Sequence, residues 1–460
     1  MKAHNLLLGL LMAGILAIGL FMTGCEGKEG PAGPQGPEGP VGPGPGDEQV
    51  YLGNDAESCG HCHSSFAETW IGTNHFGAYS ALPASQQSNP ACQQCHTTGY
   101  NTSVDNRGYD DDPRPAVEGV QCEACHGPMG PALNHAPIVF EGRTGEACSA
   151  CHSRQWNDYI TSGHGTVLQT SWNPEGDPQE DFISEWGGSS CRQCHISEGF
   201  LINYAPNWAG RSLPEDAWQV TCVTCHDPHA KDNESQLREA ALADVTSPYG
   251  GPDYPTGYTI TGWGQGQLCA QCHHARRNES NIMGQINNGS AHPGPHESPQ
   301  SDMISGLGCY QIPSMTYEGV GELNHSLSIT PDVCVTCHFV DQVQDNHTYA
   351  THTFRPQLSK CQTCHSGATN FDIGGVQTET LALLEELGAL LPQQDGTVMA
   401  AMDTINWTRE QREAGYAYYF VEADGSHGVH NPTYARSILQ NAIDHLSAAL
   451  AEGKKPGVRG

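Results

Sequence analysis

The stretch that decides the fold begins at Cys59 and reads Cys59-Gly60-His61-Cys62-His63. Two cysteines separated by two residues, with a histidine directly after the second, occur nine times along the chain. In this spacing both thiols can bond the vinyl groups of one haem while the histidine coordinates its iron. The sequence therefore predicts nine covalently attached haem c groups. We number the motifs 1 to 9 in chain order.

The haem-attachment residues are the two cysteines and the histidine of each motif. Zinc sites, thioredoxin-like pairs and disulfides use the same thiols, but none of them requires a histidine after every second cysteine. The predicted haem-binding residues are Cys59, Cys62, His63, Cys92, Cys95, His96, Cys122, Cys125, His126, Cys148, Cys151, His152, Cys191, Cys194, His195, Cys222, Cys225, His226, Cys269, Cys272, His273, Cys334, Cys337, His338, Cys361, Cys364 and His365.

Each iron also needs a sixth ligand, which sets its potential and reactivity. Fourteen histidines beyond the N-terminal segment lie outside the ligating position of the motifs, against only six methionines. Bis-histidine coordination is therefore expected for most haems, and five of these histidines must have other roles. The sixth-ligand candidates are His75, His135, His164, His229, His274, His296, His325, His352 and His430.

An internal repeat sharpens these choices. A histidine follows the histidine of motif 1 by 12 residues, at His75, and follows that of motif 4 by 12 residues, at His164. Residues 120–128 and 220–228 then match around motifs 3 and 6. The first six motifs thus form a duplicated three-haem module, and His75 and His164 are the leading candidates. The next candidates follow the third motif of each module: His135 and His229.

The last three motifs diverge from this module. After motif 7 a second histidine, His274, could reach a neighbouring iron, and Arg276 and Arg277 could pair with haem propionates. His325 and His352 could each return to a local haem. Any haem open to substrate is expected between residues 269 and 365, where the sixth ligands are least clear.

The C-terminal segment has no motif and a helical pattern. Apolar periodicity predicts helices over 376–391, 408–420 and 432–451, which would cover the haem-binding body. His430 precedes the third helix and is either a loop residue or a ligand. Cys309 has no intrachain partner if Cys25 is modified, so it is either a buried thiol or forms an intermolecular disulfide.

The N-terminal residues predict export and tethering. A lysine at position 2, an apolar run over 6–21 and Met22-Thr23-Gly24-Cys25 fit a lipoprotein signal with lipid on Cys25. A plain secretory signal or a membrane span is the alternative. The collagen-like run over 30–43 is too short for a stable triple helix and predicts an extended tether. The expected location is the outer membrane, on the periplasmic face or the cell surface.

Composition agrees with a cofactor-filled interior. Hydrophobic residues make up 37% of 460 residues, with 54 glycines and 30 prolines, so side-chain cores would be thin. The formal charge of -31 makes nucleic acid an improbable partner and suits basic redox partners. The predicted divisions are a signal peptide (1–24), a lipidated tether (25–50), two three-haem modules (51–145 and 146–260), a divergent three-haem region (261–370) and a C-terminal helical segment (371–460).

The chain resembles a superfamily of bacterial multihaem cytochromes that includes the tetrahaem electron acceptor of hydroxylamine oxidoreductase, the octahaem reductases and the cytochrome c nitrite reductases. The resemblance implies a mainly α fold with much irregular loop and little β-structure, organised by closely packed haems. It also implies sixth-ligand roles for His75, His135, His352 and His430. The stretches that carry it are 70–75, 92–100, 119–128, 269–277, 352–354 and 428–432.

Two functions follow as hypotheses. The first is an electron carrier that passes electrons along mostly bis-histidine haems to redox partner proteins or an extracellular acceptor. The alternative is a reductase or oxidase of a small nitrogen or sulfur compound, which needs one substrate-accessible haem. The chain has no Cys-x-x-Cys-Lys motif, so the catalytic lysine of the ammonia-forming nitrite reductases has no counterpart. An oligomer is compatible with either function.

Overall fold

A computed structural model describes residues 50–53, 59–103, 105–129, 145–170, 183, 186–188, 190–233, 235–344, 347–394, 396–398 and 404–453. The predicted signal peptide, the lipidated Cys25, most of the tether and His135 lie outside these residues. The module boundaries stay predictions.

The haem-motif region consists of short helices joined by long irregular loops. Apart from one helix of ten residues, none of these helices exceeds eight residues. Helices this short are not stable in water by themselves, so other groups must hold them in place. They are α1 Ser64–Trp70, α2 Pro90–His96, α3 Cys122–His126, α4 Glu146–Ser149, α5 Ser153–Tyr159, α6 Arg192–His195, α7 Ser197–Tyr204, α8 Cys222–Cys225, α9 Gly266–Ala270, α10 Glu279–Asn288, α11 Gln300–Ile304, α12 Cys334–His338 and α13 Leu358–Gln362.

Strands are few and form three antiparallel hairpins. The strands are β1 Val245–Ser247, β2 Tyr258–Ile260, β3 Asp341–Gln344, β4 His347–Ala350, β5 Gln393–Gln394 and β6 Thr397–Val398. Segments of 3-10 helix occur at Pro115–Val117, His164–Thr170, Pro206–Trp208, Glu239–Leu242, Ile373–Gly375 and Thr404–Asn406. The predicted fold class, mainly α with much loop and little β-structure, is confirmed.

The sequence repeat is also a repeat of local structure. Helices α1 and α5 each begin directly after a motif histidine. Beyond each helix a hydroxyl donates back to a main-chain oxygen, from Thr73 to Trp70 over 2.8 Å and from Ser162 to Tyr159 over 2.7 Å. These hydrogen bonds fix the turn that carries the downstream histidine, so both copies present it in the same way.

Three longer helices complete the chain: α14 Val376–Leu390, α15 Arg409–Asp424 and α16 Pro432–Ala451. All three were predicted, although α15 extends four residues beyond the predicted end. The Thr408 hydroxyl accepts the amide of Gln411 and caps α15, while the Asn431 side chain caps α16.

These helices enclose the main hydrophobic core. Leu387, Phe420 and Leu439 are fully buried there, together with residues from the preceding 282–312 stretch. Cys309 is also fully buried in this core, and burial raises the pKa of its thiol. The buried-thiol hypothesis therefore fits the structure, whereas an intermolecular disulfide would need the core to open. No described helix is long and apolar enough to cross a membrane.

Candidate haem-binding sites

Among the residues that the structure describes, seven motif histidines lie opposite a second histidine ring. The ring centres of these pairs are between 6.0 Å and 6.4 Å apart. The pairs are His126 with His229, His152 with His75, His195 with His296, His226 with His352, His273 with His164, His338 with His430, and His365 with His325.

This separation fits one haem iron between two imidazoles. Two metal–nitrogen bonds of about 2 Å each, plus roughly 1 Å from each nitrogen to its own ring centre, span about 6 Å. The rings do not touch, and the gap is that of a metal coordinated from both sides. In each pair the motif histidine directly follows the second cysteine of its motif, so the residues present fit a covalently attached haem.

The electrostatics also favour neutral, metal-binding imidazoles. Burial lowers the pKa of four paired histidines to about 4, since the charged ring loses its hydration. These four are His126, His164, His226 and His296. At neutral pH such a ring is uncharged and has a lone pair available for iron.

Hydrogen bonds to the main chain orient several motif histidines. A main-chain carbonyl oxygen lies within hydrogen-bonding distance of the Nδ1 atom, which leaves Nε2 free for the metal. The Nδ1–oxygen distances are 2.6 Å between His96 and Ala78, 2.7 Å between His226 and Ser235, and 2.8 Å between His338 and Phe354. The histidines are thus preorganised by the backbone.

The histidine pairs cross from one module to the next. His75 follows motif 1 but faces the histidine of motif 4, and His164 follows motif 4 but faces that of motif 7. In the opposite direction, His229 follows motif 6 and faces the histidine of motif 3. The sequence repeat singles out these histidines without indicating that each faces a motif of another predicted module.

Two sixth-ligand candidates are not in these pairs. His135 lies outside the described residues. His274 directs its Nδ1 atom toward the main-chain oxygen of Ala275, 2.9 Å away. His325 meets a local motif as expected, whereas His352 faces motif 6 of the preceding module.

A substrate-accessible haem is expected between residues 269 and 365. The three motif histidines in this range all face a second histidine. His96 of motif 2 faces no histidine among the residues that the structure describes.

Cysteines of different motifs also lie close together. Side-chain hydrogen bonds join thiols of motifs 1 and 3, 2 and 4, 4 and 6, 5 and 7, and 7 and 8: Cys59 with Cys122, Cys95 with Cys151, Cys148 with Cys222, Cys194 with Cys272, and Cys269 with Cys334. Cys125 and Cys148, Cys225 and Cys269, and Cys337 and Cys361 interact electrostatically, without a hydrogen bond, and burial together with this interaction raises the pKa of the first thiol of each pair. These pairs link motifs 3 and 4, 6 and 7, and 8 and 9.

The two ends of this series are at the surface. Cys62 and His63 of motif 1 are exposed, as are Cys364 and His365 of motif 9 and, within the series, Cys151 and His152 of motif 4. Beside motif 9 an open cleft of about 480 Å³ is lined by residues 364–374. A haem attached at either end would therefore be accessible to another molecule.

The chain is similar to several known proteins. A family model described as "Cytochrome c554 and c-prime" matches residues 58–127, which contain motifs 1 to 3. The multihaem cytochrome MtrA of Shewanella baltica (strain OS185) is 24% identical over 175 residues, covering 34% of this chain and 50% of that protein. The C-type polyhaem cytochrome OmcB of Geobacter sulfurreducens (strain DL-1 / KN400) is 25% identical over 232 residues, covering 46% and 28%. The chain thus spans half or less of each relative.

Two solved structures share the fold. The outer cell wall cytochrome OcwA aligns with a TM-score of 0.52 at 20% identity, over 86% of this chain and 99% of that one. An undecahaem cytochrome from the S-layer of Carboxydothermus ferrireducens aligns with a TM-score of 0.50 at 21% identity, over 88% and 70%. The repeated motifs, the iron-spaced histidine pairs and these similarities together establish that the chain belongs to the multihaem c-type cytochromes.

Proposed function

We propose that the chain is a nonahaem electron carrier in which most irons have two histidine ligands. The observation that carries this proposal is the set of seven histidine pairs at a separation suited to one iron. Bis-histidine ligation leaves no free coordination position, so such haems exchange electrons without binding substrate. The chain's own residues would attach each porphyrin, hold its iron from both sides and exclude water.

The proposed ligand sets follow the seven pairs. His75, His164, His229, His296, His325, His352 and His430 are the proposed sixth ligands of the haems at motifs 4, 7, 3, 5, 9, 6 and 8 respectively. His135, for which the family resemblance implies a sixth-ligand role, is retained as a candidate without an assigned haem. His274 remains a candidate without an assigned haem.

The cysteine contacts support a continuous route for electrons. A thioether sulphur is separated from its porphyrin by one carbon atom, so two sulphurs in contact bring two porphyrin edges close together. The hydrogen bonds and electrostatic interactions between cysteines described above connect motifs 1, 3, 4, 6, 7, 8 and 9 in series. Motif 2 branches from motif 4 and motif 5 branches from motif 7, so the branches repeat with the module.

The setting of this route is outside the cytoplasm. The lipobox at Cys25 and the extended tether support an outer-membrane lipoprotein. The outer cell wall location of OcwA and the S-layer location of the undecahaem cytochrome support a location at the cell surface. The net charge of -31 favours basic redox partners or an extracellular acceptor. Electrons would enter and leave through the exposed haems at motifs 1 and 9.

The test compares two histidine variants of the full-length holoprotein. His164→Ala should convert the haem at motif 7 from low spin to high spin, which electron paramagnetic resonance detects as one new ferric signal. His292→Ala is the matched control, because His292 is exposed and lies in none of the pairs. A haem content of nine per chain is expected. An unchanged spectrum for His164→Ala would refute the proposed ligation.

One observation favours the enzymatic alternative as a second candidate. The histidine of motif 5 faces His296, but its counterpart in the first module, His96, faces no histidine among the residues that the structure describes. A five-coordinate haem at motif 2 could bind a small nitrogen or sulfur compound. A high-spin ferric signal in the wild-type protein that cyanide converts to low spin, together with turnover of nitrite, hydroxylamine or tetrathionate by a reduced viologen, would support it. An entirely low-spin protein without turnover would exclude it.

A further inference from the structure

We infer that Asp424 gives the haem at motif 8 a lower reduction potential than its neighbour at motif 7, and so places an energetic step inside the electron route. The inference rests on the proposed pairing of His338 with His430. It assigns Asp424 as a positioning residue that acts through His430, not as a ligand.

The geometry around Asp424 is closed and specific. Its carboxylate is fully buried at the C-terminal end of α15, and its Oδ1 atom lies 2.6 Å from Nδ1 of His430. Its Oδ2 atom accepts hydrogen bonds from the hydroxyl and, over 3.3 Å, from the amide of Ser426. The Ser426 hydroxyl in turn accepts the His430 amide over 3.1 Å. Ring and carboxylate are therefore held in a fixed orientation.

The contact at His430 differs in charge from the Nδ1 contacts of two motif histidines. His226 and His338 face neutral main-chain oxygens at Nδ1. His430 instead donates to a carboxylate whose only other hydrogen-bond partner among the described residues is the neutral Ser426. A buried negative charge that accepts the ring proton makes the imidazole a stronger donor to iron. Stronger donation stabilises the ferric state and lowers the potential.

A second carboxylate beside a ligand provides the internal comparison. Asp227 lies 3.4 Å from Nδ1 of His229, which is longer than the contact at His430. Its side chain is 33% exposed, and Arg238 pairs with it over 3.2 Å. Solvent and the arginine both reduce its effect on the ring, so Asp227 should influence its haem much less than Asp424 does.

The same helix end also contacts a ligand at motif 7. Gln300 donates its amide to the main-chain oxygen of Ala423 over 3.0 Å, and its Oε1 lies 3.2 Å from Nδ1 of His273. The end of α15 thus supports histidines of two consecutive haems, whose cysteines Cys269 and Cys334 are in contact. It offers a neutral amide to one and a full charge to the other, which locates the step between motifs 7 and 8.

Asp424→Asn in the full-length holoprotein is the main test, because it keeps the shape and removes the charge. A redox titration followed by electron paramagnetic resonance should show one low-spin haem shifted upward. At the wild-type midpoint of that haem, the ratio of reduced to oxidised form should rise at least tenfold, which is about 59 mV for one electron. Asp227→Asn should change the ratio for its own haem less than threefold. No tenfold change, or an equal change in both variants, would overturn the inference.

A second variant, expected to change the ratio of reduced to oxidised haem in the opposite direction, distinguishes the charge effect from misfolding. Ser426→Ala retains the carboxylate but removes a donor to it, so more of its charge acts on His430 and the ratio should fall below the wild-type value. Structural damage would not reverse the sign between the two variants. A rise with Ser426→Ala would count against the inference.

His430→Ala separates this inference from the proposed ligation. It should create one high-spin haem. If it does not, the pairing with His338 is wrong and the proposed function fails at this haem. If it does, while Asp424→Asn leaves every potential unchanged, the inference about Asp424 alone is wrong.

Discussion

The haem-motif region and the C-terminal helices are stabilised in different ways. Five helices of the haem-motif region, α2, α4, α6, α12 and α13, contain no buried residue. By contrast, α15 has ten buried residues and α16 has eight. In the first region porphyrins must provide the apolar surface that side chains lack, whereas in the second the side chains make a conventional core.

This difference indicates which part of the chain needs haem in order to fold. Apart from the residues of 249–312 that join the C-terminal core, the described part of 59–365 has two small hydrophobic clusters, each with few buried members, and many half-exposed loops. Burial of apolar area stabilises a fold in proportion to that area. Haem attachment should therefore be a condition of order for most of the chain, and the C-terminal core should be the exception.

The largest expected effect comes from withholding haem. Full-length chain produced without cytochrome c maturation should lose amide protection throughout α1–α8, while α14–α16 keep theirs because their core is made of side chains. Hydrogen exchange with mass spectrometry measures both regions in one sample. Equal protection in holoprotein and haem-free protein, or equal loss in both regions, would contradict the comparison.

The next effect tests the side-chain core itself. Phe420→Ala removes a fully buried ring and should lower the free energy of unfolding of the C-terminal helices by about 3–5 kcal/mol. Denaturant unfolding followed by circular dichroism of the holoprotein gives the value. Phe76→Ala is the control, since Phe76 is 39% exposed, and its loss should be less than half as large.

A smaller effect is expected at the start of α15. Thr408 and Gln411 form a reciprocal cap, in which the Thr408 amide donates to Gln411 Oε1 over 2.8 Å and the Gln411 amide donates to the Thr408 hydroxyl over 3.2 Å. Thr408→Ala should cost about 1 kcal/mol of unfolding free energy. Because the cap is shared, adding Gln411→Ala should cost less in the Thr408→Ala background than in the wild type. Strictly additive costs would argue against a joint cap.

The smallest effect concerns a surface pair that joins α14 to α16. Arg436 donates to both carboxylate oxygens of Glu379 over 2.7 Å, and these hydrogen bonds lower the pKa of Glu379. Both side chains are 47% exposed, so Glu379→Gln should cost no more than about 0.5 kcal/mol.

The pH dependence of that pair has a definite sign. Because the folded pKa is below the unfolded value of about 4.3, the stabilisation is present above that pH and is lost as pH falls through the folded pKa. Urea titrations at pH 7 and pH 3 should therefore show a difference between wild type and Glu379→Gln only at pH 7, and less of it in high salt. A difference that persists at pH 3 would exclude the ion pair as its cause.

Much of the haem chemistry was predictable because each attachment motif lies within five consecutive residues. The motif spacing is fixed by the dimensions of one cofactor, so Cys59 to His63 already indicates the chemistry. The C-terminal helices were predictable from apolar periodicity. The end of α15 was placed too early, although Gly425, which adopts a left-handed conformation with φ 71°, marks it.

The pairing of ligands was less predictable because it depends on contacts between distant segments. His352 lies near motif 8 in sequence and yet faces motif 6. His274 is a candidate because it directly follows a motif histidine. Its ring instead faces the main-chain oxygen of Ala275. Asp424 and His430 are only six residues apart, but their contact has no sequence signature. It depends on how the chain turns after the end of α15.

The crossing of ligands between modules has a consequence for biogenesis. A chain exported from its N-terminus presents motif 3 long before His229, which emerges only after motifs 4, 5 and 6. His352 likewise follows motifs 7 and 8, although it faces motif 6. A haem installed early would therefore wait, with one axial position vacant, for a later part of the nascent chain. Completion of the iron sites then runs in a temporal order of its own, and a truncated chain would leave upstream haems chemically reactive.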